Sequence, residues 1–79
     1  MTNLEKYTLA FVEGLSINKS LVTPDLKYQD IAEWDSVGHM ALIAELEDKF
    51  NIMLETDDII DFNSYEKGKE ILAKYNVQF

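Results

Sequence analysis

The chain has no cysteine and no arginine, and only one proline, one histidine, one tryptophan and three glycines. Without cysteine there can be no disulfide staples, no thiolate nucleophile and no thiolate zinc site. Seven lysines stand against fifteen acids, for a net charge of −8. Nucleic-acid binding needs basic patches against phosphates, so that function class is excluded. No apolar run approaches the length needed to cross a bilayer. The opening Met-Thr-Asn-Leu-Glu-Lys lacks the basic and apolar regions of a signal peptide. The expectation is a monomeric, cytoplasmic protein. Its 79 residues, 47% of them apolar, suffice for one small domain over 1–79 with a compact core.

Charge is unevenly spread. Residues 45–61 hold seven acids (Glu45, Glu47, Asp48, Glu55, Asp57, Asp58 and Asp61) against Lys49 alone, so −6 of the net −8 lies there. Such a block either attracts a basic partner or is a solvated face that keeps a small protein soluble. The acids lack the alternating Asp-x-Asp-x-Asp-Gly order of a calcium loop.

The periodicity predicts an all-α chain. A first helix spans about 3–15, with a Thr2/Glu5 capping box and a stripe of Leu4, Tyr7, Phe11 and Leu15; Gly14 and the following Ser-Ile-Asn suit its end. Residues 16–35 form a long connection containing Pro24, with Leu21, Val22, Leu26, Tyr28, Ile31 and Trp34 as anchors and room for one helical turn after the proline. A second helix covers about 36–50 behind Asp35 as N-cap. At 100° per residue its core face is Leu42, Ile43, Leu46 and Phe50; Val37, Ala41, Ala44 and Asp48 lie opposite, with Met40 and Glu47 on a flank. A short helix at about 56–61 places Ile59, Ile60 and Phe62 inward. The last helix, about 64–75, starts at Asn63 or Ser64 and carries Tyr65, Gly68, Ile71, Leu72 and Tyr75. No segment alternates as a strand. Short helices with apolar stripes must cover one another, giving a small four-helix bundle of three main helices and one short helix with a long first loop.

Ser36 opens the most regular helix, where backbone N–H groups and the helix dipole favour an anion, such as a phosphate ester on its hydroxyl. A serine is also simply common at helix starts. The wider run Glu33-Trp34-Asp35-Ser36-Val37-Gly38-His39-Met40-Ala41-Leu42-Ile43-Ala44-Glu45-Leu46-Glu47-Asp48-Lys49-Phe50 adds to this. It resembles the phosphopantetheine attachment region of acyl carrier proteins, in which Asp-Ser-Leu opens the second helix and that helix ends near Glu-x-x-Phe. Asp35, Ser36, Leu42, Leu46, Glu47 and Phe50 match, and Val37 replaces the usual leucine. The likeness extends over nearly the whole chain in the order and length of its helices.

The resemblance implies a non-catalytic carrier. A phosphopantetheinyl transferase would move 4′-phosphopantetheine from coenzyme A to Ser36, with Asp35 as the flanking motif residue. The arm's thiol would carry an acyl or aminoacyl group as a thioester to enzymes with basic surfaces. The lack of cysteine suits this, since the thiol would be the cofactor's. Val37, Met40, Ala44, Glu47 and Asp48 form the expected docking face: a small apolar patch rimmed by acids. The family also docks through its second helix. Three readings stay open: an acyl carrier for fatty acid, polyketide or surface-polysaccharide synthesis; a D-alanyl or aminoacyl carrier; and an unmodified acidic helical adaptor for a basic protein. An enzyme is the poorest fit, with one histidine and no glycine-rich phosphate loop.

Three neighbours complete the reading. Gly38 stands where acids are frequent in the family, either leaving room for the arm or an enzyme surface or as drift. His39 reads as a partly buried helix residue rather than a general base, and Trp34 as packing of the loop on the bundle. Tyr7, Phe11, Phe50, Phe62, Tyr65 and Tyr75 give an aromatic core, which points to short or polar cargo.

Overall fold

A computed structural model describes all residues 1–79. It contains α1 (Asn3–Leu15), a single 3₁₀ turn at Lys19–Leu21, α2 (Ser36–Phe50), α3 (Thr56–Asp61) and α4 (Tyr65–Ala73), and no strand. This is the small helical bundle that the periodicity predicts.

Local chemistry sets the helix ends. Thr2 Oγ1 accepts from the Glu5 N–H at 3.1 Å while Glu5 Oε1 accepts from the Thr2 N–H at 2.9 Å, a complete capping box. α1 and α2 stop at Ser16 and Asn51, both in the left-handed region with φ of 55° and 52°. Ser64 caps α4 by accepting from the Lys67 N–H at 3.0 Å. Gly14 lies in the last turn of α1, which ends at Leu15 as expected. A Cβ there would come within 2.7 Å of Leu42 Cα, so the glycine is what lets α1 cross α2 closely.

The core is aromatic at its centre. Tyr7, Phe11, Trp34 and Phe62 are fully or almost fully buried, and each such side chain contributes roughly 1.5–3 kcal/mol through burial. Tyr7 donates its hydroxyl to the Tyr65 carbonyl at 2.6 Å, and burial holds its phenol far above the usual tyrosine range. α1 is thereby tied to α4.

The long connection is a packed loop. Leu26 and Trp34 are buried, and the loop is stitched to the start of α4 by Tyr28 N–H to Asn63 O and Tyr65 N–H to Leu26 O, both 2.9 Å. Its helical turn precedes Pro24 instead of following it, because Asn18 supplies a cap to Ser20 N–H at 2.9 Å; after the proline there is only a turn closed by Leu26 N–H to Thr23 O. Leu21 is exposed and anchors nothing.

Three further expectations are corrected. Leu4 is 45% exposed and Ala10 takes its place in the buried stripe of α1. Ile60 is 70% exposed and points outward, while Asp58 of the same short helix is buried. Phe50 and Tyr75 are half-buried at the margin of the core, not inside it. α4 also ends at Ala73, before Tyr75.

Asp58 explains why a carboxylate displaces an isoleucine. Its oxygens accept from Lys74 Nζ and, at 2.6 Å, from the Tyr75 hydroxyl, whose oxygen in turn accepts from the Glu55 N–H at 3.0 Å. These hydrogen bonds hold the Asp58 carboxyl below its ordinary range. A depressed folded-state pKa stabilises above the unfolded value of 3.8 and ceases to do so as pH falls through the folded one. Asp58→Asn should therefore melt lower than wild type at neutral pH, and the gap should narrow on acidification below about 3.8. Thermal melts across that range check it; a constant gap would show that the charge on Asp58 does not matter.

Candidate functional site

The site is built at the start of α2. Asp35 is extended, and its Oδ1 accepts from the Gly38 N–H at 2.8 Å, while its carbonyl accepts from the His39 N–H at 2.7 Å. Capping is thus done by Asp35. Ser36 is the first helical residue, exposed, with its hydroxyl not required for the cap. A serine there has no need to be a serine for the sake of the helix. The first turn of α2 carries no acidic side chain, so only Asp35 opposes an anion at this helix end.

Beside Ser36 lies a cleft of about 370 Å³ between α2 and α3. Met40, Ile59, Ile60 and Phe62 give it apolar walls, and Tyr28 and His39 line its inner side. A second cleft, about 310 Å³, runs along Leu4, Thr8 and Leu9 of α1 and does not include Ser36. The outward turn of Ile60, which the pattern of so short a helix could not reveal, supplies one wall of the first cleft.

His39 sits behind Ser36 and is bonded at both ring nitrogens. Nδ1 accepts from the Trp34 indole N–H at 3.0 Å, so the ring proton resides on Nε2, which faces the Ile59 carbonyl at 2.8 Å. His39 thereby joins the loop, α2 and α3. The expected partly buried helix residue is what is found, but with a bridging task the sequence does not announce. Trp34 packs the loop onto the bundle, as expected.

Gly38 has a structural reason. A Cβ at that position would lie 2.0 Å from the Glu33 carbonyl oxygen and 3.2 Å from Leu15 Cδ2. The room is taken by the protein's own loop and not left for an arm or a partner, and the position is not free to drift. Gly38→Ala should destabilise by about 1–3 kcal/mol through overpacking, against the ~1 kcal/mol that helix propensity alone would favour it. Urea unfolding gives the sign, and a variant as stable as wild type would show that the loop yields freely.

The residues expected to form a docking face separate into two groups. Val37 is 78% and Met40 54% exposed, and Ala44 and Asp48 are exposed on the same helix. Glu47 is different: its Oε2 accepts from the Leu54 N–H at 2.9 Å, fastening the turn after α2. Asp58 is likewise engaged, and Glu45 pairs with Lys49 at 3.4 Å. Part of the acidic block is therefore structural, while Asp48, Glu55, Asp57 and Asp61 remain exposed. No three His, Asp or Glu side chains gather as a metal site, and no helix is long and apolar enough to cross a membrane.

No family model matches the chain. It is 26% identical over 70 residues to a protein named acyl carrier protein from Chlorobium phaeobacteroides, an alignment that covers 89% of this chain and 90% of that one.

Proposed function

We infer that this chain is a single-domain, non-catalytic carrier of the acyl carrier type, bearing 4′-phosphopantetheine on Ser36. The observation that carries the reading is an exposed serine hydroxyl, spared from capping by Asp35, at a helix N-terminus that opens onto an apolar cleft. The similarity to a protein named acyl carrier protein along nearly its full length supports it.

The chain's own residues fit the group. Asp35 holds the first turn rigid so that the hydroxyl projects. The free N–H groups of that turn suit the phosphodiester. The apolar walls of the cleft suit the pantetheine chain. When bound, the arm supplies the one thiol of the assembly, on which an acyl or aminoacyl group is held as a thioester. The carrier then presents that group to separate cytoplasmic enzymes at high effective concentration. Fatty acid, polyketide and surface-polysaccharide routes and a D-alanyl route all use such chemistry.

Val37, Met40 and Ala44 offer the transferase and acyl-handling enzymes an apolar contact, and exposed Asp48 sets orientation against a basic surface. Glu47 is half-buried and holds the Leu54 N–H, so it is not assigned to this contact. Asp48→Lys should slow association with the transferase several-fold at low salt, with the difference shrinking as salt rises. Stopped-flow binding at two ionic strengths checks this, and equal rates would remove Asp48 from the face.

The test of the function is intact mass after incubation with coenzyme A, magnesium and a broad-specificity phosphopantetheinyl transferase. Gain of one phosphopantetheinyl mass supports the carrier. A folded chain that gains none supports the alternative of an unmodified acidic adaptor.

A further inference from the structure

The space behind Ser36 is closed by rings in contact. Phe11 meets Trp34 edge to face with centroids 5.4 Å apart, Trp34 stacks on His39 at 6.2 Å, and His39 meets Phe62 at 6.0 Å. All three clefts of the molecule open on its surface. His39 is the tie that holds this wall together, through Trp34 on one side and the Ile59 carbonyl on the other. The second bond matters because α3 has only six residues and no side-chain cap at its N-terminus. Its position depends on neighbours, namely His39 at Ile59 and the Lys74 and Tyr75 side chains at Asp58.

We propose that His39 is a specificity-determining residue: by tying Trp34 to α3 it shuts the bundle interior, so that the acyl group stays in the outer cleft and the carrier takes short or polar acyl groups. The proposal rests on the carrier reading above. An alkyl chain gains with each methylene it buries. To reach the interior it must break both His39 hydrogen bonds, leave the buried Trp34 indole N–H unpaired, and part Trp34 from Phe11. A short chain cannot offset that. A polar one gains nothing by it. On this proposal the closed wall keeps a long chain in the outer cleft too, and its thioester stays open to water.

The experiment loads the arm-bearing protein with butyryl and with tetradecanoyl groups and follows hydroxylamine cleavage of each thioester. Wild type, His39→Gln and His39→Ala are compared. Glutamine can accept from the indole and donate to the carbonyl, so it preserves the tie; alanine removes it. Wild type and His39→Gln should release both acyl groups at the same rate, and the Trp34 indole N–H resonance should not move on loading. His39→Ala should protect the tetradecanoyl thioester about tenfold, equivalent to ~1.4 kcal/mol, and leave butyryl unchanged. Protection of the long chain in wild type overturns the proposal whether or not His39→Ala folds. A folded His39→Ala that treats both chains alike overturns the role of His39. A wild-type chain that accepts no arm, seen by mass before loading, overturns the carrier reading and this proposal with it.

Discussion

Ser36→Ala should fold like wild type and gain no mass from coenzyme A, where wild type gains one phosphopantetheinyl group. Both halves follow from the same geometry. The cap belongs to Asp35, whose carboxylate bonds the Gly38 N–H at 2.8 Å, so the helix keeps its start without the serine hydroxyl. Alanine is the best helix former, and the position is exposed, so no cavity is made. The change in stability should lie within about 0.5 kcal/mol. The loss of modification should be complete, since the proposed attachment oxygen is removed. Ser64, the other serine at a helix start, is bound to the Lys67 N–H and offers no substitute. Intact mass beside a thermal melt reads both outcomes. Modification of Ser36→Ala would place the arm elsewhere, and loss of the fold would show that the hydroxyl is structural after all.

Leu46→Ala should be a severely damaging truncation on α2. Leu46 is completely buried. Removing a fully buried leucine side chain costs about 2–5 kcal/mol, the spread reflecting how far the site can collapse around the hole. Here collapse is limited, because rigid aromatic rings fill much of the core. Small domains have only about 5–15 kcal/mol in total, and a chain of this length belongs near the lower end. The variant should therefore lose most of its stability, with a urea midpoint far below wild type and an unchanged slope. Met53→Ala, on a side chain 83% exposed, is the matched control and should shift little. A small loss at Leu46 would mean that the rings repack more freely than their burial implies.

The helices and their caps were legible in the sequence because they depend on neighbours three or four residues away. Thr2 with Glu5, and Asp35 before Ser36, carry their partners beside them. So does the stripe of Leu42, Ile43 and Leu46 along a helix of fifteen residues, where four turns average out any one misplacement. α3 has six residues, and its pattern of Ile59, Ile60 and Phe62 could not say which isoleucine faces in. That was settled by Lys74 and Tyr75, which arrive from beyond α4 and draw Asp58 inward, leaving Ile60 to wall the cleft.

Fold class, excluded chemistries, acidic balance and the position of the candidate serine could all be read from the chain alone. All four rest on composition or on short-range order. Which acids stay exposed, why Gly38 is a glycine and what His39 holds together became visible with the packing of the helices. Glu47 is spent on Leu54, Gly38 faces a carbonyl from the loop that precedes it, and His39 reaches Ile59 across 20 residues of chain. Such pairings are fixed by how whole helices pack, and no periodicity within one helix records them.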